Sequence, residues 1–246
     1  MNRTDFHKLF KTPGPVVLPV IHVLDTERTL RNIQVALGEG APGVFLINHD
    51  FGVEPFLEII ADVRARHGSL WMGVNFLAVT GRDAFPQLAK LGQNGCEIDA
   101  YWADDARIDE RQDQQPEAEA IQAARNGWDG VYFGGTAFKK QREVDPADYA
   151  KSASRACDWM DVVTTSGIAT GHEADDMKIA TFRQAIGDKP LALASGVSPE
   201  NAKRYADVDC FFVATGINFD GNFYDIDPAR LSALLATTRT LGQEST

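Results

Sequence analysis

From Val16 onward, short apolar runs alternate with longer stretches whose apolar residues recur every three or four positions. The runs fall at 16–22, 44–48, 70–76, 96–100, 131–133, 161–165, 191–194 and 210–214. Each is too short for a helix and reads as a buried strand. The stretches between them read as helices. Val53, Phe56, Leu57 and Ile60 fall at i, i+3, i+4 and i+7, one face of a helix. Asp25 or Thr26 caps the helix that carries Leu30, Ile33 and Leu37, and further helices are predicted over 82–91, 116–126 and 173–186. Asp145-Pro146, Ser198-Pro199 and Asp227-Pro228 each place a capping residue before a proline. Proline suits a first helical turn because its missing N–H would be unpaired there anyway. The last of these opens a helix with Leu231, Leu234 and Leu235 turned inward.

Eight strand–helix units in series predict an α/β fold in which parallel strands are covered by helices. At 246 residues this is a closed (β/α)8 TIM barrel in one domain, 1–246. An open doubly wound sheet is the alternative. It wants a Gly-x-Gly-x-x-Gly after the first strand, and the stretch from Pro19 to Leu24 has no glycine. Segment 1–14 reads as a leader whose Phe6, Leu9 and Phe10 share one side and plug the bottom of the barrel.

The formal net charge of −11 argues against nucleic acid and anionic lipid as partners, because the averaged field repels phosphates. A local phosphate site remains open, since backbone N–H groups supply the positive end. Cys96, Cys157 and Cys210 lie far apart without metal-ligand spacing, which suggests reduced thiols and a cytoplasmic protein. No signal peptide is read at the N-terminus, and no run approaches membrane-spanning length.

In such a barrel the chemistry sits where strands end and helices begin. That rule selects His22, Asp99 and Lys139 as catalytic candidates. The His22 imidazole titrates near neutrality. Asp99, placed inside the fourth strand at the mouth, would have a carboxyl raised by burial and suited to proton transfer. Lys139 is the basic group near the mouth and can pair a phosphate or carboxylate. Its position past the strand weakens a Schiff-base role. Asn48 and Asn75 can hold a substrate hydroxyl or amide, and Tyr101 and Trp102 can cover a ring. The small-residue turns after strands 6, 7 and 8 supply a phosphate grip from Ser166, Gly167, Ser195, Gly196, Val197, Thr215 and Gly216. The plainer reading is that these glycines only permit tight turns.

The acidic loop 101–115 holds Asp104, Asp105, Asp109, Glu110 and Asp113, oxygens that suit Mg2+, although charge runs are usually solvated. No metal ligands or resident cofactor are assigned, and Mg2+ stays open. There is no Gly-x-Ser-x-Gly elbow, His-Glu-x-x-His pair or Cys/His cluster, which argues against serine and zinc hydrolases.

Four segments resemble the BtpA (BtpA/SgcQ) family of TIM-barrel proteins, related to a photosystem I biogenesis protein. They are Asn48-His49-Asp50-Phe51-Gly52-Val53-Glu54-Pro55-Phe56, Gly73-Val74-Asn75, Thr165-Ser166-Gly167-Ile168-Ala169-Thr170-Gly171 and Ser195-Gly196-Val197-Ser198-Pro199-Glu200-Asn201. The last two also resemble the phosphate grip of ribulose-phosphate-binding barrels such as phosphoribosylanthranilate isomerase. The chain departs from the family after strand 1, where His22-Val23-Leu24-Asp25 replaces a proline-rich loop, and after strand 8, at Asn218-Phe219-Asp220-Gly221. It also lacks the strand-1 cysteine that serves as base in phosphoribosylanthranilate isomerase. The resemblance implies an enzyme that isomerises or cleaves a small phosphorylated sugar or ribosyl metabolite in lyase or aldolase fashion. Two alternatives stand beside it: a non-catalytic assembly or regulatory factor, and a Mg2+-dependent phosphoribosyl or nucleotide transferase. A homo-oligomer is left open.

Overall fold

A computed structural model describes residues 1–12 and 14–244, with side chains to residue 241. Its eight strands are β1 (Val16–Val23), β2 (Val44–Asn48), β3 (Met72–Asn75), β4 (Ala100–Ala103), β5 (Val131–Gly135), β6 (Val162–Thr165), β7 (Leu191–Leu193) and β8 (Cys210–Val213). They close into a parallel barrel in chain order, β8 pairing with β1 through Val16↔Cys210 to Pro19↔Val213. The expected TIM barrel is therefore the observed fold.

The helices are α1 (Arg3–Phe10), α2 (Thr26–Gly38), α3 (Val53–Arg66), α4 (Gly81–Gln93), α5 (Pro116–Ala124), α6 (Tyr149–Ala156), α7 (Asp176–Ile186) and α8 (Pro228–Glu244). The Asp25 side chain caps α2 by accepting from the Arg28 N–H at 2.7 Å, and Asp175 caps α7. Each cap satisfies donors that the first helical turn leaves open.

Strand alternation separates two cores. Val16, Leu18, Val20, Phe45, Trp102, Phe133 and Phe212 fill the barrel interior. Val17, Ile21, Val74, Tyr101, Tyr132 and Phe211 face the helical layer. Helix α1 seals the lower end. Phe6 is fully buried, 6.1 Å from the Phe133 ring, and Phe10 packs on Trp71. Leu9 does not join them. It is exposed, so the leader's buried stripe is narrower than its sequence suggests.

The lower end is also stapled by one device used three times. Asp99, Asp161 and Asp209 each precede an even-numbered strand. Each accepts the first N–H of the preceding strand or its neighbour: Met72 for Asp99, Tyr132 for Asp161, Leu191 for Asp209. Each is also held by an arginine from, or just past, the helix that leads into that preceding strand: Arg64 of α3 at 2.7 Å, Arg125 after α5 at 2.5 Å and Arg183 of α7 at 2.8 Å. The same arginines bond loop carbonyls, Leu70, Gly130 and Lys189 respectively. Arg3 and His7 of α1 add to Asp209.

Two expected elements differ. Strand 4 lies at Ala100–Ala103 and not at 96–100. Its register is set by the pairs Ala100↔Val131 to Ala103↔Gly134, and the Asp99 staple pins its start. Nor does an α-helix follow β7. The Asn201 side chain turns back to accept from the Ser198 N–H and donates to the Gly196 carbonyl. That competes with a helical ladder, and only a 3-10 turn, Ala202–Tyr205, forms before β8.

Candidate active site

A small cavity, about 50 Å3, opens at the ends of the strands from which the chain enters the helices. Its floor is apolar: Val20, Ile47, Trp102 and Phe212. Its rim carries His22, His49, Asp104, Lys139 and the turns 195–197 and 214–216. An apolar well with a few convergent polar groups is the usual form of a small-molecule site.

Lys139 enters this well although it lies past β5. Its half-buried ammonium donates to the Ala194 carbonyl at 2.9 Å. Burial pulls its pKa down to about 8; nearby Asp104 opposes that shift and Lys140 adds to it. Near neutral pH a useful fraction of this amine is therefore free base. Asp104 is its counterpart. Buried just past β4, it accepts from Asn75 Nδ2 at 3.0 Å. Burial raises its carboxyl above the usual range, while Asn75 and the two lysines pull the other way.

His22 faces the same well. Its Nδ1 lies 2.8 Å from the Phe223 carbonyl, and its ring stacks on Phe223 with centroids 3.8 Å apart. Burial lowers its pKa to about 4, so the ring is neutral at pH 7. The Phe223 carbonyl can only accept, so Nδ1 carries the proton and Nε2 keeps its lone pair. His49 packs edge-on against it at 4.8 Å, with a pKa also lowered by burial.

The two turns thought to grip a phosphate abut each other. A Cβ on Gly216 would run into the Val197 carbonyl, and one on Gly196, at φ 65°, into the His172 carbonyl. These glycines are thus required by packing between loops, whatever else they do. Among the described residues, the N–H groups of Gly196, Val197, Thr215 and Gly216 meet no main-chain or side-chain acceptor. The other expected contributors are engaged. Ser195 Oγ accepts from the Gly167 N–H at 2.8 Å. Ser166 Oγ accepts from the Lys139 N–H at 2.9 Å and donates to the Gly167 carbonyl. The N–H groups left without an acceptor are therefore those of the turns after β7 and β8.

Several expectations move. Asp99 is at the opposite end of the barrel, held by Arg64 and the Met72 N–H, and is not at the mouth. Tyr101 is fully buried on the outer face of β4, its hydroxyl donating to the Val79 carbonyl, and covers nothing. Trp102 forms floor, not lid. Asn48 is tied off: Nδ2 donates to the Phe51 carbonyl and Oδ1 accepts from the Leu77 N–H. Asn75 acts on Asp104. The acidic loop is occupied by arginines. Asp109 pairs with Arg111, Glu110 with Arg142, and Asp113 with Arg155. No group of three His, Cys, Asp or Glu among the described residues is placed to hold a metal.

Asp104 was visible in the sequence only as one of the loop's acids. The signal that finds it is period-two alternation, because Ala100, Trp102 and Asp104 share one face once the strand is placed correctly. Lys178 carries no motif that marks it in the sequence. It is buried on α7 one turn before Phe182, so the helical stripe of Lys178, Phe182 and Ile186 carries its signal.

No protein-family model and no curated protein matches the sequence. Solved structures do resemble the fold. One described as native KDPGal superposes with a TM-score of 0.66 at 12% identity, over 92% of this chain and 96% of that one. The phosphoribosyl anthranilate isomerase of Thermus thermophilus gives 0.59 at 14% identity, over 92% and 99%. A protein of Aquifex aeolicus VF5 gives 0.59 at 16%, over 99% and 96%. At such identities the likeness is one of architecture, a closed barrel matched over nearly its full length.

Proposed function

We propose that this barrel is an enzyme acting on a small phosphorylated carbonyl metabolite, as an isomerase or as a lyase of aldolase type. The observation that carries the reading is Lys139: a lysine with a pKa near 8, inside an apolar well, beside a buried carboxylate with a raised pKa. Groups pushed from their ordinary values in opposite directions, in one cleft, suit proton transfer next to a carbonyl. Lys139 supplies an amine that can attack or polarise the carbonyl. Asp104 shuttles a proton to and from the neighbouring carbon, and the lone pair on His22 Nε2 receives a substrate hydroxyl. The turns at 196–197 and 215–216 offer four N–H donors for a phosphate.

The neighbour named for a phosphoribosyl compound adds support of the coarser kind, through a shared fold. Kinship with the BtpA family belongs to the same proposal. Its Glu-Asn ending has a physical task here, since Asn201 closes the turn that carries Gly196 and Val197. The arginine pairing of the acidic loop leaves the Mg2+-dependent transferase without a ligand set to support it. Ile168 and Met177 are exposed apolar residues of the kind an assembly factor uses, but docking does not require a desolvated lysine.

The test is proton exchange next to the carbonyl, a step common to isomerases and aldolases. A panel of phosphorylated aldoses and ketoses is incubated in D2O and followed by proton NMR. The reading expects catalysed exchange on at least one member, absent from the dephosphorylated analogue. Exchange on none, together with no saturable binding of any member, rejects it.

A further inference from the structure

Lys178 is a buried cation outside the well. Its Nζ donates to the Ala137 carbonyl at 2.6 Å and to the Ser166 carbonyl at 2.8 Å. The rings of Tyr149 and Phe182 flank it at 5.0 and 5.9 Å. Among the described residues no carboxylate forms a salt bridge with it. Burying an ammonium in this way is expensive, and an apolar side chain would fill the same space at lower cost.

What the ammonium touches explains its presence. Ala137 and Ser166 belong to the loops after β5 and β6, the two loops that set Lys139. Ala137 has φ 45°, a left-handed conformation that strains a non-glycine residue. It lies two residues before Lys139, and this turn swings the chain back so that a lysine past the strand reaches into the well. The Ala137 carbonyl accepts Lys178 Nζ, with Thr165 Oγ1 at 3.3 Å as a second donor. Ser166, whose carbonyl takes the other Lys178 bond, receives the Lys139 N–H on its Oγ.

We infer that Lys178 is the positioning residue of the site: one buried ammonium clamps the strained turn after β5 to the loop after β6 and so aims Lys139. This rests on the reading of Lys139 given above. Lys178 meets no reacting atom. It acts through the main chain, and its loss is expected to slow the chemistry of Lys139 without weakening the hold on a phosphate at the N–H groups of 196–197 and 215–216.

Pyridoxal 5′-phosphate is a suitable probe, an aldehyde joined to a phosphate. Its carbonyl condenses with a lysine amine, releasing water, and borohydride reduces the imine to a stable secondary amine. Labelling is read at each lysine by peptide mass spectrometry over a range of probe concentrations. Lys140, exposed beside the site, serves as internal reference. In Lys178→Met, folded by circular dichroism, the maximal rate at Lys139 is expected to fall roughly tenfold or more, because small misplacements are costly at a reacting atom. The half-saturating concentration and the Lys140 rate should stay near wild type, and Lys178→Arg should recover part of the Lys139 rate. If Lys178→Met does not fold, Ser166→Ala keeps the carbonyl that Lys178 holds but removes the Oγ that receives the Lys139 N–H, the next link of the same path, and is expected to show the same split. Wild-type labelling that the folded variant leaves intact overturns the positioning role alone. A wild-type protein with no saturable labelling at Lys139 overturns the reading of the site, and the role with it.

Discussion

The two ends of the barrel use the same residue type to opposite ends. At the bottom, Asp209 is completely buried, and burial alone would raise its carboxyl. Contacts with His7, the Leu191 N–H and Arg3 outweigh burial and hold it below the usual range. At the top, Asp104 is also buried, but its direct partner is the neutral Asn75, and its carboxyl is raised. The bottom carboxylates are saturated by arginine and backbone donors and serve stability. The top carboxylate is left short of donors beside a lysine that is itself desolvated. A carboxylate in a barrel is therefore informative only once its partners are known, since depth alone does not separate a staple from a site.

Four experiments sharpen or break this contrast. The largest effect is expected on catalysis. Once an exchanging substrate is found, Lys139→Met and Asp104→Asn should each lower the exchange rate roughly 10²–10⁴-fold, the range of a lost acid–base group. Neither should lower the urea midpoint appreciably, because each removes a poorly compensated buried charge. Retained exchange in either variant would remove that residue from the chemistry. Second, Asp209→Ala should destabilise by about 3–5 kcal/mol in urea denaturation, since it strands Arg183 and the Leu191 N–H. The folded fraction should exchange at the wild-type rate.

Third, Asp99→Ala, at the same kind of staple, should cost only about 1 kcal/mol, because its side chain is 36% exposed and its ion pair is screened. Its exchange rate should be unchanged. A loss comparable with that of Asp104→Asn would return Asp99 to the catalytic role that the sequence suggests. The smallest effect is a shift along the pH axis. Lys139 reacts as the free amine, so its labelling by pyridoxal phosphate should rise with pH through about 8. The Asp104 charge favours the protonated lysine. Asp104→Asn removes that support, so the rising limb should move to lower pH. A limb that moves upward would mean the two groups do not face each other across the well.

The alternation of strands and helices was legible because each period is written in local residue spacing. The apolar run 44–48 predicts the second strand and forms it. The fourth strand was not legible in the same way. Residues 96–103 are ambivalent, apolar enough to begin at Cys96 or at Ala100, and the choice depends on pairing with Val131 to Gly134, about thirty positions away. A displacement of four residues was enough to put Asp99 at the mouth and Asp104 in the loop. The turns after strands 7 and 8 were found as turns, but which of their donors stay free was not written locally. Gly167 loses its N–H to Ser195, and Ser166 is taken by Lys139, both across strand boundaries.

By itself the sequence determined the repeating unit and the number of units. Those follow from periodicity, caps and the handedness of parallel crossovers, which each segment carries alone. Tertiary structure decided which acid is stapled by arginine and which faces the well, and it brought a lysine past its strand back into that well. Protonation and aim depend on burial and partners, and both are set by residues distant in the chain that meet only when the barrel closes.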